Sequence, residues 1–551
     1  MDPKISIINL LKKQTKLKEI KLEIPPSPDL GDFAFPCFQL SKKYKKNPIE
    51  IASLLAKKFK SSSLIKQVKS TGPYLNFFIN QDIIVKQTIK QILKQKNKYG
   101  SSNTGKNKKI LLEHTSINPN ASPHVGRARN AIIGDSVSKI LKFQNFKITT
   151  HYFVNDVGKQ IALLVLALKG TPKFEDLLNI YIKINKNLTK KTEKQAFELL
   201  NKFEKGNKEI QKKFKKTVDI CLKGQVSVLK QLNINYDKFD FESDYLKQRK
   251  VKNVLKKLEK TGQVFEDEFN RKVLNQDNFD LASAMKNPFL VLTRGDGTSL
   301  YPLRDIAYNL DKIKQAPTNI VILGEDQKLY HKQISAALQL LKKQAPLSIH
   351  YSFILLNEGK MSTRKGNLVL LSDFIQQAIK KAKQEIKKRN PKAKNIDKLA
   401  KAIANSAIKY SILKISPEKN VVFDLPTALS FEGDTGPYLQ YTYARASSIL
   451  KRAKKTSKTN YSLLNKEENE LAKKLSNFPE IILKASSNYR PHLIANYLYE
   501  LSKQFNEFYH KYSVIKASPG LKNARINLVK STKQVLNNGL NLLGIEPLEY
   551  M

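Results

Sequence analysis

Apolar and polar positions divide the chain into three stretches of different rhythm. In the first, Ile5, Ile8, Leu11 and Leu17 recur at roughly helical spacing, and residues 51–59 also read as a helix. Pro25-Pro26-Ser27-Pro28 breaks the chain between them. Gly72-Pro73-Tyr74-Leu75-Asn76-Phe77-Phe78 has the aromatic character of a turn and strand. This stretch predicts a small α+β domain over residues 1–97, with a polar linker at 94–109. In the second stretch, short apolar runs such as Ile110-Leu111-Leu112, residues 148–154 and Ile320-Val321-Ile322-Leu323 alternate with helical patterns. That alternation predicts a parallel sheet whose crossovers are helices. The stretch covers 98–425 and is interrupted at about 157–250 by a Lys-rich amphipathic insertion. In the third, 426–551, the pattern is almost wholly helical. Leu493, Tyr497, Leu498 and Leu501 share one face there, which Phe505 and Phe508 continue. The expected fold is multidomain α/β, with an N-terminal α+β domain and a C-terminal all-α bundle.

Composition narrows the choice of function. A chain of 551 residues has room for about three or four domains. Its 41% of hydrophobic residues can bury real cores, which excludes wholesale disorder. Lys plus Arg is 98 against 48 for Asp plus Glu, a net charge of +50. Such an excess fits a polyanionic partner, because Lys and Arg bound to phosphates release condensed counterions. It fits equally a chain that decorates every surface with Lys, since Lys far outnumbers Arg. The scarce arginines carry more information: Arg127, Arg129, Arg304, Arg364 and Arg445 all fall inside the motifs below. Two cysteines, Cys37 and Cys221, build neither a disulfide framework nor a Cys-rich zinc site. Any metal is therefore expected as an oxygen-bound ion that arrives with a substrate. The longest apolar run, 161–168, falls far short of the ~20 residues a bilayer requires. The N-terminus lacks the apolar core of a secretory signal. The cytosol is the expected compartment, with no membrane partner.

Three motifs carry chemistry. The first is a strand ending in Glu113, the loop His114-Thr115-Ser116-Ile117-Asn118-Pro119-Asn120, and then Pro123-His124-Val125-Gly126-Arg127-Ala128-Arg129-Asn130 entering a helix. A helix N-terminus offers a phosphate free backbone N–H groups and the positive end of the dipole. Gly126 has no Cβ, so an adenine ring or phosphate can approach the backbone. His124 can donate to a phosphate oxygen, and Arg127 can hold one with a charged fork. A histidine capping a Pro-initiated helix would explain His-x-Gly alone. The whole string, directly after a strand that ends in a carboxylate, favours the phosphate.

The second motif is Tyr301-Pro302-Leu303-Arg304-Asp305, which follows a Gly-rich turn and should open a helix with Pro302 in its first turn. Tyr301 and Asp305 are four apart and can share a face. A carboxylate beside a phenol suits a planar cation: Asp accepts two parallel N–H bonds from a guanidinium while the ring covers its flat face. Glu113 would add a second negative charge or hold the ligand's amine. Without context, an Asp on the helix dipole and a core Tyr are the simpler explanation. The third motif, Gly359-Lys360-Met361-Ser362-Thr363-Arg364-Lys365-Gly366, follows an apolar strand. Its glycines permit a loop that closes over a triphosphate, where cations would neutralise the leaving pyrophosphate. A merely solvated basic loop is the alternative.

Together these residues resemble a class I aminoacyl-tRNA synthetase, and specifically the arginyl-tRNA synthetase family. His124-Val125-Gly126-Arg127 resembles the HIGH signature and Lys360-Met361-Ser362-Thr363-Arg364 the KMSKS signature. Residues 113–135, 301–305 and 432–441 resemble the stretches that set the arginine enzymes apart. Residues 28–34 and 72–77 are similar to that family's N-terminal domain, which contacts the tRNA elbow. Residues 497–506 and 523–544 are similar to its helical anticodon-binding domain. The resemblance implies a Rossmann-like nucleotide-binding catalytic core. It implies that Glu113, His114, Thr115, Asn118, His124, Tyr301, Asp305 and Gln327 hold arginine, Asp305 and Tyr301 at the guanidinium and Asn118 and Gln327 at the amino-acid end. His124, Gly126, Arg127, Asn130, Lys360, Met361 and Ser362 would line the ATP site, with His124, Arg127, Lys360 and Ser362 catalytic. Tyr441, Arg445 and Tyr509 would touch tRNA, and Tyr438, Tyr443 and Tyr497 join them as candidates for stacking on anticodon bases.

Two positions depart from the family pattern. Arg127 stands where HIGH has its last His, and Thr363 where KMSKS has its second Lys, so Arg364 or Lys365 would supply that charge. The implied reaction is attack of arginine's carboxylate on the ATP α-phosphate, loss of Mg-bound pyrophosphate, and transfer of the acyl group to the terminal adenosine of tRNA(Arg). The implied partners are L-arginine, ATP with Mg2+ and tRNA(Arg), with tRNA needed for activation and with no zinc; a monomer is expected. The rival readings are an adenylyl-activating nucleotidyltransferase that uses no tRNA, a different class I synthetase, and an inactive RNA-binding paralogue. Glu113, Asp305 and Lys360 are all present, which opposes the last.

Overall fold

The computed structural model describes residues 3–59, 61–62, 64–120, 122–170, 172–247, 250–279, 281, 285, 287–356, 359–360, 369–453 and 459–551. The chain packs as two compact units. Met1–Tyr99, Arg445–Pro479 and Glu500–Asn537 form one; Gly100–Ala444, Glu480–Tyr499 and Asn538–Met551 form the other.

In the first unit, the helix Pro3–Thr15 and the helix Pro48–Lys58 lie against strands β1 (Phe33–Pro36), β2 (Ile65–Thr71) and β3 (Tyr74–Ile79). The sheet is antiparallel in the order β1-β3-β2, with Phe33 opposite Phe77. Gly72 turns β2 into β3 at φ +57, a left-handed conformation that favours glycine. Ile7, Leu11, Phe35, Ile51, Leu75 and Phe77 fill the core. Asp32 accepts the Ile79 N–H at 2.9 Å and pairs with Lys473 of the helix Lys466–Ser476, also at 2.9 Å. The Tyr99 ring stacks on Phe478, and its hydroxyl donates to the Leu475 carbonyl at 3.0 Å.

In the second unit, β4 (Lys109–Glu113), β5 (Lys147–Val154), β6 (Lys238–Phe241), β10 (Thr318–Gly324) and β11 (Leu347–Tyr351) form the expected parallel sheet. Its order is β11-β10-β4-β5-β6. The chain winds from β4 outward through β5 to β6, then returns to the other side of β4 for β10 and β11. The direction of winding therefore reverses between β4 and β10, and sheets of this kind bind ligands beyond the C-terminal ends of the strands at such a reversal. A small antiparallel sheet, β7 (Val264–Glu266), β8 (Lys272–Asn275) and β9 (Phe289–Val291), sits between β6 and β10 in sequence. A third sheet joins β12 (Ile354–Leu356) to β13 (Gly359–Lys360) and to β14 (Val421–Phe423).

The expected insertion at about 157–250 is helical through Gln231, but its stretch Lys238–Phe241 is β6 of the parallel sheet, so those bounds are too wide. The helices Lys190–Glu204 and Lys208–Gln231 start at Thr189 and Asn207, whose side chains accept N–H groups of the first turn. Ile210, Phe214, Thr217, Val218 and Cys221 are buried along one face of the second. The polar stretch 94–109, expected as a linker, contains the boundary between the two units after Tyr99, and its later part is held by hydrogen bonds from Gly105 and Asn107 to the Gln144 and Asn145 carbonyls. Gly105 donates to the Gln144 carbonyl at 2.8 Å, and a Cβ there would lie 2.5 Å from the Asn145 backbone. Among the described residues no helix is long and apolar enough to cross a membrane.

Candidate active site

The signature turn is built on backbone strain. After Glu113 the chain passes through Thr115 at φ 85 and Ser116 at φ 41, conformations that cost about 1–3 kcal/mol each for residues with a Cβ. Hydrogen bonds hold them there. The Thr115 N–H donates to Asn130 Oδ1 at 2.7 Å, and Asn130 Nδ2 donates to the Ile322 carbonyl of β10 at 2.8 Å. Thr115 Oγ1 bonds both His114 Nδ1 and the Tyr236 hydroxyl at 2.7 Å. The His114 ring occupies the space over Gly134, where a Cβ would come within 2.4 Å of it. His114 and Thr115 are each 1% exposed, and Asn130 is also buried. These three side chains spend their polar atoms on the frame. In this structure His114 Nδ1, Thr115 Oγ1 and both amide atoms of Asn130, all expected at the ligand, are bonded within the loop's own frame. Asn118 differs, because it is exposed and donates only to Gln160 Oε1, at 3.1 Å.

His124 is the N-cap of the helix Val125–Phe143, in extended conformation. Its Nδ1 is buried with no hydrogen-bond partner. Burial, reinforced by the charge of Arg127, pushes its pKa down to about 4. The imidazole is therefore neutral at pH 7, with one ring nitrogen a donor and the other an acceptor. Gly126 and Arg127 follow in the first turn, both partly exposed. The Leu371 N–H donates to the Pro123 carbonyl at 2.7 Å and the Val125 N–H to the Val369 carbonyl at 3.1 Å. The chain at Val369–Leu371 is thereby fastened to the His124 turn. Lys360 pairs with Leu355 across the β12–β13 ladder. Met361 and Ser362, with Thr363, Arg364 and Lys365, lie outside the described residues.

The helix Tyr301–Gln315 opens as its Pro302 predicts and carries Tyr301 and Asp305 at its start. Tyr301 is 55% exposed, so it is no core residue, and its ring lies 5.2 Å from that of Tyr330. The Tyr330 hydroxyl donates to Asp305 Oδ2 at 2.5 Å. Burial raises the Asp305 pKa to about 7, and the charges of Glu242 and Glu113 add to the rise. Glu113 is not the free second charge expected of it. Its Oε2 takes a hydrogen bond from Lys312 Nζ at 2.5 Å, with both side chains buried. The carboxylate that sequence reasoning missed is Glu242, buried directly after β6 and bonded to Arg304 Nε at 2.6 Å. Its neighbour Asp156 accepts the Ser243 N–H at 2.8 Å and is raised by burial to about 6. Position offered a signal: Glu242 follows the end of a strand much as Glu113 ends one. Gln327 closes the short turn Glu325–Gln327 that leaves β10, and it is half-buried.

The expected tRNA contacts separate by exposure. Tyr441 and Tyr509 are 37% and 40% exposed. The Arg445 guanidinium lies 4.8 Å over the Tyr509 ring and bonds Asn506 Oδ1. Tyr443 and Tyr497 are buried, and the Tyr443 hydroxyl donates to Glu549 Oε1 at 3.0 Å. Those two are packing residues and leave the set of stacking candidates.

Comparison with known proteins agrees with this geometry. Three family models match the chain: the arginyl tRNA synthetase N terminal domain over residues 4–79, the catalytic domain of tRNA synthetases class I (R) over 88–425, and the DALR anticodon binding domain over 439–551. The arginine–tRNA ligase of Methanocaldococcus jannaschii is 41% identical over 573 residues, covering 99% of each chain. That of Methanococcus aeolicus is 37% identical over 98% of each. Among solved structures, Thermus thermophilus arginyl-tRNA synthetase matches the whole of both chains with a TM-score of 0.85 at 26% identity. The Plasmodium falciparum arginyl-tRNA synthetase shares the fold, with a TM-score of 0.78 at 21% identity over 100% of this chain and 98% of that one. With its parallel core, its His-x-Gly turn and three matched models in order along its length, the chain belongs to the arginyl-tRNA synthetase family of class I.

Proposed function

We propose that the protein ligates arginine to tRNA, activating L-arginine with ATP and passing the arginyl group to the 3′ end of tRNA(Arg). The observation that carries this reading is Asp305, a carboxylate set between Glu242 and Glu113 and beside the exposed Tyr301 ring. A site of that kind prefers a delocalised cation. The Asp305 fork takes two N–H groups of a guanidinium, and Tyr301 covers its face. Lysine's ammonium leaves part of that fork unmade, so discrimination needs no editing step. Asn118 and Gln327 hold the amino-acid end. The arginine carboxylate attacks the ATP α-phosphate, the bond to pyrophosphate breaks, and arginyl-adenylate forms. His124 donates to a phosphate oxygen as a neutral imidazole, and Arg127 supplies a fixed charge in place of the family's second histidine. Lys360 and Ser362 serve the departing pyrophosphate, whose Mg2+ enters with ATP. A hydroxyl of the terminal adenosine then takes the acyl group and releases AMP.

Residues 1–97 would meet the tRNA elbow and 426–551 the anticodon, through Tyr441, Arg445 and Tyr509. We place the enzyme in the cytosol as a monomer. Charging a panel of amino acids onto total tRNA tests the reading: arginine alone should be esterified. In pyrophosphate exchange with tRNA present, Asp305→Asn should lower kcat/KM for arginine by roughly two to three orders of magnitude. Near-native exchange by that variant, or charging of another amino acid, would refute the assignment.

A further inference from the structure

Arg129 lies one turn into the helix Val125–Phe143 and is fully buried. No carboxylate lies within ion-pairing distance of it among the described residues. Its charge is held by carbonyl groups instead. Nη1 donates to the Ser352 carbonyl at 2.8 Å and to that of Phe353 at 3.3 Å, and Nη2 to that of Ser416 at 3.1 Å. Nε has no partner. Burying a cation with no carboxylate in direct contact, Glu418 acting on it only at longer range, is costly, so what it holds in place is informative.

Those carbonyls lie at the root of the segment that carries Lys360. Ser352 and Phe353 immediately precede β12, and β12 pairs with β13, which contains Lys360. Ser416 begins a turn laced to the same root. The Ser352 N–H donates to the Pro417 carbonyl at 2.9 Å, and the Phe353 N–H donates to Asn420 Oδ1 at 3.1 Å. The far end of the segment, Val369–Leu371, is bonded to Pro123 and Val125. Both ends are therefore tied to the start of one helix, the one that begins at His124. The far tie is backbone to backbone and needs no particular side chain. The near tie is one guanidinium, whose planar fork reaches two chain segments at once, which an ammonium cannot do with the same geometry.

We infer that Arg129 is a positioning residue for the ATP half-reaction, fixing the root of the Lys360 segment against the His124 turn. The inference rests on the proposed ATP site but not on arginine as substrate. Three proteins test it: wild type, Arg129→Lys, and Asn420→Ala, an exposed position that loosens the same root without disturbing the buried cation. The readouts are the rise in melting temperature produced by Mg-ATP alone, and the KM for ATP and for arginine in pyrophosphate exchange. Displacing a reacting group by about 1 Å can cost ~100-fold, so Arg129→Lys should weaken ATP binding and exchange by roughly ten- to a hundredfold. Asn420→Ala should act in the same direction but less, and the KM for arginine should hold in both. Unchanged ATP parameters in folded Arg129→Lys and Asn420→Ala, or equal losses for ATP and arginine, would overturn the inference. If wild type binds ATP but does not use arginine, the proposed function falls while the ATP-induced shift still decides the role of Arg129.

Discussion

Asp305, the proposed partner of the guanidinium, also carries a measurable proton. Burial and the nearby carboxylates hold its pKa at about 7, well above the 3.8 of a free aspartate. Ligand-free, the group is about half protonated at neutral pH. A guanidinium binds the ionised form, so arginine binding near pH 7 should release protons. Affinity should then rise as pH climbs from 6 to 8, falling about tenfold per unit below the pKa and levelling off above it. Calorimetry in buffers of different ionisation enthalpy reads the proton count directly, and a pH-independent enthalpy and affinity would show that Asp305 is not the partner. The same raised pKa means the folded protein holds this proton more tightly than the unfolded chain does between pH 3.8 and 7. The stability this proton contributes is therefore lost as pH rises from 3.8 to 7, the cost is complete above pH 7, and there Asp305→Asn should melt higher than wild type even as it loses arginine. The sequence displayed Tyr301 and Asp305 because four-residue spacing on a helix is a local property. It hid Glu242 and the Glu113–Lys312 pair, whose partners are brought together from 199 positions apart in the latter case.

At the level of elements, strands and helices were legible because apolar periodicity is local, whereas the order of the parallel strands was not, since handed connections fix the crossover but not the neighbour. The loops were not. Nothing in the composition of 94–109 announces that Gly105 must touch the Asn145 backbone, and nothing in Thr115 announces a positive φ. The end of the last helix gives a case that can be measured. The helix Pro519–Leu542 stops at Gly544 with φ +68, where the Ile545 N–H returns to the Leu540 carbonyl at 2.9 Å and the Gly544 N–H to that of Asn541 at 3.0 Å. Lys409 Nζ donates to the Gly544 carbonyl at 2.9 Å and pairs with Asp135 at 3.3 Å, and Lys139 holds Asp135 from its other side. Ser136 Oγ donates to the Leu542 carbonyl at 2.9 Å, so the cap is docked on the same helix that starts at His124. A Cβ on Gly544 would lie 2.6 Å from Lys409 Nζ and 2.7 Å from Asp135 Oδ2, whereas Gly206, at φ +88, faces nothing within 4 Å. Gly206→Ala should cost only its backbone strain, about 1 kcal/mol. Gly544→Ala should cost about 2–3 kcal/mol more, because it also disturbs a buried ion pair. Equal shifts of the two variants in thermal unfolding would mean that the cap tolerates the methyl and that the Lys409 contacts are slack.

At the scale of the whole chain, reading along the sequence gives contiguous domains, but packing need not respect contiguity. Arg445–Pro479 and Glu500–Asn537 fold with the first 99 residues, through contacts such as Asp32–Lys473 that no local pattern displays. Charge behaves in the opposite way: the +50 excess is obvious from composition, while its meaning is not. The two explanations separate on ionic strength. If lysines and arginines meet the tRNA backbone, each neutralised phosphate releases counterions. Six or more such contacts make affinity fall by roughly 10³-fold or more between 50 and 200 mM salt. Arginine recognition should not follow, because Asp305 and Glu242 are sheltered and screening acts mainly on exposed charges. The KM for tRNA should therefore climb steeply with salt while the KM for arginine stays nearly level. A flat tRNA response would assign the excess to a general lysine bias of the surface, and a parallel rise of both constants would point to a salt effect on folding.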